Sequence, residues 1–171
     1  MTARPVRTTP SSTISTNHDK RCQFSSLMIV AMRFYEATRR IERPVEEVWS
    51  VLRDVATYPD WDSGVLSLDG DGTLGSTIEL VSAADPGRRF RVRVVELIEG
   101  RSMVWRGGAP LGLFRGTRTY SLTQDSEDAT TVTVREEFTG PLVPLIWRTM
   151  PDLQPSFDRF VDGLAARVTG R

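Results

Sequence analysis

The chain has 171 residues, 22 basic and 22 acidic side chains, and a formal net charge of zero; that suits one domain and argues against broad binding to nucleic acid or to an anionic membrane. From Arg33 onward there is no histidine, lysine or cysteine, the only such residues being His18, Lys20 and Cys22. That stretch therefore cannot build a histidine-based triad, a Schiff-base lysine, a thiolate nucleophile or a His/Cys zinc site, and a lone cysteine gives no sign of a secreted disulfide scaffold.

Residues 1–31 read as an arm. Thr8 to Thr16 is rich in Ser, Thr and Pro and is expected to be disordered. The apolar run Leu27 to Met32 that follows is shorter than the about 7–15 residues of a signal peptide or the about 20 of a spanning helix. The domain is expected over residues 32–171, in the cytoplasm, with no metal and no cofactor.

Phe34 to Ile41 reads as a strand. Pro44 suits the first turn of a helix, where its missing N–H costs nothing, and Val45, Val48, Trp49 and Leu52 then recur on one helical face. The helix ends near Asp54 to Thr57. Glycines punctuate short strands at Val65 to Leu68 and Thr77 to Val81. Asp85-Pro86-Gly87 is expected to be a turn, Arg89 to Ile98 a strand and Ser102 to Arg106 the next, with Gly107 to Gly112 a loop. A bulge near Val94-Val95 is left open, because Val94/Glu96 and Val95/Leu97 both fit as pairs. Arg91 and Arg93 fall opposite Phe90, Val92 and Val94 and read as a solvated outer face. Asp69-Gly70-Asp71-Gly72 lacks the spacing of a calcium loop and reads as a strand turn.

Two longer strands, Leu113 to Thr123 and Thr130 to Phe138, form a final hairpin. Alternate residues of a strand share a face. Phe114, Gly116, Arg118, Tyr120 and Leu122 make one inner row, and Val132, Val134, Glu136 and Phe138 the other. With Leu122 opposite Val132, Arg118 falls opposite Glu136, close enough for an inward-facing ion pair. Such a pair barely offsets its desolvation and reads better as a polar anchor than as a stabiliser. Around it, Trp49, Tyr58, Trp61, Trp105, Phe114, Tyr120, Phe138, Trp147, Phe157 and Phe160 are candidate inward aromatics. After Gly140-Pro141 the pattern turns helical, with a break expected around Met150 to Pro155. Leu153, Phe157, Phe160, Val161, Leu164 and Val168 share the face of the last helix.

Arg40-Ile41-Glu42-Arg43-Pro44-Val45-Glu46-Glu47-Val48-Trp49 followed by Tyr58-Pro59-Asp60-Trp61 resembles the N-terminal signature of the polyketide cyclase/dehydrase family, within the START-like (Bet v 1-like, SRPBCC) superfamily. Arg118 to Leu122 and Thr131 to Gly140 fit that family's last hairpin. The resemblance implies an α+β helix-grip fold: a curved antiparallel sheet wrapped around a long C-terminal helix, with an internal apolar cavity. It implies a small hydrophobic ligand of polyketide, lipid or quinone type; the inward rows and aromatics read above make Trp49, Tyr58, Trp61, Trp105, Phe114, Arg118, Tyr120, Glu136, Phe138 and Phe157 the expected lining. The alternative is a polyketide aromatase/cyclase or dehydratase acting by substrate orientation, with Arg118, Glu136 and Tyr120 as catalytic candidates. Gly107 to Gly112 and Leu142 to Met150 are expected to form a lid. Leu142 to Trp147 is apolar enough for peripheral membrane contact, although capping the cavity mouth is the favoured role. The oligomeric state stays open.

Overall fold

A computed structural model of the chain describes residues 32–170; the predicted arm at residues 1–31 lies outside the described residues. Seven strands form one antiparallel sheet: β1 (Arg33–Ile41), β2 (Val65–Asp69), β3 (Thr77–Ser82), β4 (Asp85–Ile98), β5 (Ser102–Gly108), β6 (Arg115–Ser126) and β7 (Ala129–Thr139). Their order across the sheet is β1-β7-β6-β5-β4-β3-β2. Among the described residues three α-helices complete the fold: α1 (Val45–Arg53), α2 (Val143–Ile146) and α3 (Gln154–Thr169). The curled sheet wraps α3, which lies against β1, α1 and β7. This is the α+β helix-grip arrangement.

Helix α1 forms where the pattern placed it. Pro44 is its N-cap, one step before the expected first turn, and Val45, Val48, Trp49 and Leu52 are its buried face. The chain then tightens into a 3-10 turn, Val55–Asp60. Ser63 fastens the exit: its hydroxyl donates to Tyr58 O at 2.6 Å and accepts the Val65 N–H at 3.0 Å. Helix α3 begins at Gln154, inside the segment expected to break, carries Pro155 in its first turn, and buries Phe157, Phe160, Val161 and Leu164. Gly163 lets it approach the Asp62 carbonyl, where any Cβ would collide with backbone.

Two sequence expectations are corrected. Asp85-Pro86-Gly87 is the start of β4, not a turn. The turn falls at Ala83-Ala84, where Ser82 Oγ accepts the Ala84 N–H at 3.2 Å. Ser82 pairs with Asp85 but Val81 with Arg89, so Pro86, which cannot donate to a ladder, lies in the irregular step between them. The loop expected at Gly107 starts later, because Gly107 and Gly108 still pair with Gly116 and Arg115. The open register of β4 resolves as a bulge at Val95, with Val94 opposite Trp105 and Glu96 opposite Val104.

Candidate functional site

The β6–β7 hairpin places Tyr120 opposite Val134, Arg118 opposite Glu136 and Gly116 opposite Phe138. Arg118 Nε–H donates to Glu136 Oε2 at 2.8 Å, and the Arg118 NH2 nitrogen reaches the same oxygen at 2.6 Å. Both contacts fall on one carboxylate oxygen, which leaves Oε1 uncommitted by the arginine. Gly116 makes room for Oε1: a Cβ there would stand 3.0 Å from it. Phe157 of α3 lies under the guanidinium, its ring centre 4.7 Å from Cζ. The two side chains keep 27% and 17% of their surface accessible, so the pair sits near an opening rather than sealed in the core.

Two aromatic groups flank the pair. The deep group is Tyr58, Trp61, Trp105, Tyr120 and Phe160. Its ring centres are 5.1 Å apart for Trp105–Tyr120, 5.4 Å for Tyr120–Phe160 and 5.3 Å for Trp61–Phe160. These rings lie together between the sheet and α3. The outer group is Tyr35, Phe114, Phe138, Trp147 and Phe157, in which Tyr35 stacks on Trp147 at 5.2 Å and on Phe157 at 6.0 Å. Phe114 stacks on Phe138 at 5.7 Å.

The deep group carries unused polar atoms. Among the described residues, Tyr120 Oη and the indole nitrogens of Trp61 and Trp105 are buried without a hydrogen-bond partner. Buried groups of this kind are rare in native structures and call for an explanation. Tyr58 differs, because its hydroxyl donates to Leu52 O at 2.6 Å and so ties the 3-10 turn to α1. Burial pushes the Tyr120 phenol up to about 12, opposed by the Arg118 charge and by the approach of its guanidinium to the hydroxyl, which falls short of a well-formed hydrogen bond, with Glu136 adding to the rise. Burial likewise raises Tyr58 well above the usual phenol range, with Tyr120 adding to it. For Arg118, burial alone would lower the pKa, but Glu136 and Tyr120 outweigh it, and the guanidinium stays charged at any working pH. The arrangement thus offers a fixed cation, a neutral phenol and an indole N–H to a buried oxygen.

The two segments expected to form a lid lie next to a backbone contact between their neighbours. Leu142 N–H donates to Leu113 O at 3.0 Å, joining the stretch before α2 to the loop before β6. Gly140 permits this contact, since a Cβ there would lie 2.5 Å from Leu113 O. In α2, Val143 is buried and Leu145 is exposed.

Nine of the ten predicted lining residues fall into these groups or the pair. Trp49 is set apart: it is buried on α1 and lines a separate cleft of about 580 Å³ with Glu46, Asp54, Asp71 and Glu99. A second cleft, of about 350 Å³, opens between the ends of β4, β5 and β6. Neither cleft is lined by Arg118 or Glu136. Tyr35 was missed. It stands opposite Glu136 on β1 and completes the outer group. Its signal is alternation with Ala37 and Ile41, which Arg39 interrupts because that arginine pairs with Asp162 of α3 at 3.3 Å.

The family described as polyketide cyclase / dehydrase and lipid transport matches residues 32–169. No curated protein matches the chain in sequence. Among solved structures, the Zhui aromatase/cyclase from Streptomyces sp. R1128 superposes with a TM-score of 0.67 at 18% identity, covering 82% of this chain and 96% of that one. Truncated norcoclaurine synthase from Thalictrum flavum gives 0.63 at 14% identity, covering 83% and 96%. A START superfamily protein from Mycobacterium smegmatis gives 0.58 at 17% identity, covering 80% and 97%. At these identities the likeness is one of fold.

Proposed function

The chain belongs to the polyketide cyclase / dehydrase and lipid transport family, and on that premise we propose that it binds a small hydrophobic molecule bearing an oxygen function, of polyketide, lipid or quinone type, between the sheet and α3. The observation that carries this reading is the buried, unpartnered Tyr120 hydroxyl beside the Arg118–Glu136 pair. A carbonyl, enolate or carboxylate placed there would accept from the phenol and from Arg118. The aromatic rings would supply affinity at about 25 cal/mol per Å² of apolar surface removed from water.

Native mass spectrometry of protein purified from its own host tests this reading. A co-purified apolar mass, lost in Arg118→Met, is the expected result. Absence of any bound mass, together with no saturable quenching of tryptophan fluorescence by polyketone, fatty-acid and quinone probes, would overturn it.

One observation favours a second reading, a cyclase or dehydratase acting by orientation. Tyr120 holds its proton up to about pH 12 beside a permanent cation, the pairing an enolate oxygen needs for stabilisation. The likeness to an aromatase/cyclase fits this reading. Consumption of a synthetic poly-β-ketone without stable retention, abolished in Tyr120→Phe, would establish it; retention of the unchanged ketone would return the protein to the binders.

A further inference from the structure

We propose that the cleft between the ends of β4, β5 and β6 is a binding site for a phosphate-type oxyanion, separate from the site between sheet and α3. Arg91, Arg93, Arg106 and Arg115 line it, with Thr77, Val92, Phe114 and the backbone of Gly107 and Gly108. The strand register explains the clustering. Arg93 stands directly opposite Arg106, and Arg115 directly opposite Gly108. Arg91 lies two residues from Arg93 on the same face of β4. Gly108 therefore presents bare backbone among the arginines. It cannot be replaced, because its φ of +147° and the nearby Phe114 carbonyl leave no place for a Cβ.

The charge is scarcely compensated. Among the described residues, only Arg91 of the four has a carboxylate partner, Glu79 at 3.7 Å. Arg93 uses its Nε–H on the Gly75 carbonyl at 3.0 Å, which fixes its stem and leaves the two terminal nitrogens for another acceptor. Like charges directly opposed on adjacent strands destabilise a sheet. A chain with equal numbers of acids and bases has enough carboxylates to avoid this. Guanidinium groups bind phosphate oxygens in bidentate fashion, and a phosphoryl dianion set between Arg93 and Arg106 turns the repulsion into attraction. At about 350 Å³ the cleft has room for the carbon skeleton of a phosphate ester. That ester is either a small soluble molecule or a lipid headgroup.

Titration calorimetry with inorganic phosphate at low ionic strength tests the site without any apolar ligand, so its outcome is independent of the function proposed for the interior. Saturable binding is expected, weakened about tenfold or more in Arg93→Gln and in Arg106→Gln and unchanged in Arg167→Gln, whose side chain lies on α3. Without phosphate, Arg106→Gln should melt at or above the temperature of the unaltered protein, because it removes the like-charge opposition and leaves the Arg93 bond to Gly75 intact. Flotation with phosphatidylcholine vesicles containing phosphatidic acid separates the two sources. Retention that depends on Arg93 and Arg106 identifies a lipid headgroup, and phosphate binding without retention identifies a soluble ester. Two results would overturn the proposal: no saturable phosphate binding together with no arginine-dependent retention, or equal weakening by Arg167→Gln, which would mark a diffuse surface effect.

Discussion

Two arginine–glutamate clusters sit one residue apart along β7, on opposite faces of the sheet. Inside, Arg118 bonds Glu136 alone, over the Phe157 ring. Outside, Arg135 is held by Glu36 at 3.0 Å and Glu137 at 2.9 Å, with its guanidinium 3.9 Å from the Phe34 ring centre. The outer arginine has two carboxylate partners where the inner one has a single partner. The side chains of the outer cluster are more exposed, however, and water solvates its charges whether or not they pair, so the contacts add little. The inner pair has given up much of its hydration, and each member depends on the other. Position relative to solvent, not the number of bonds, sets what an ion pair does for the protein.

The contrast is open to direct attack. Arg118→Met strands Glu136 and should cost about 2–4 kcal/mol in urea unfolding, somewhat below the figure for a fully buried pair. Adding Glu136→Leu should recover most of that loss. A single-variant cost under about 1 kcal/mol would put the inner pair in the same class as the outer one.

Next in size is an alkaline effect. The Tyr120 phenol ionises near its ordinary value of 10 when unfolded but holds its proton to about 12 when folded. The folded state therefore binds more protons in that window, and stability should fall as pH rises through it. The fall is on the order of 3 kcal/mol, read as the difference between the unaltered protein and Tyr120→Phe.

Gly116→Ala should cost about 1 kcal/mol, because Glu136 must yield to the new methyl group. The smallest effect belongs to Arg135→Met. It should leave the urea midpoint within replicate scatter in 1 M salt, where surface charge pairs are screened.

The hairpin was the most legible part of the chain. Strict alternation over Gly116 to Leu122 and Val132 to Phe138 admits one register that buries the apolar members, and the structure has it. The buried face of α1 was equally plain. Three features were not legible, for different reasons. The Asp85-Pro86-Gly87 triplet has turn chemistry, but Ser82 and Ala84 had already closed the hairpin. Tyr35 was masked by Arg39, an exposed residue on the same face of β1 whose charge is answered from α3. The mutual packing of Trp61, Tyr58 and Phe160 depends on how closely α3 descends on the sheet. That distance is set by Gly163 against Asp62, a contact between segments far apart in sequence that no periodicity encodes.

The pairing of β1 with β7 has a consequence for how the molecule comes into being. Thr38 meets Thr133 across 95 positions of chain, so the first strand of the described residues waits on their last. At about 5–20 residues per second, that delay lasts on the order of 5–20 s. Throughout it, the apolar side of β1 has neither its neighbour nor α3 to cover it. Nascent chains halted before Ala129 should therefore recruit chaperones that the finished polypeptide does not need, and the interior should appear in one late step upon release.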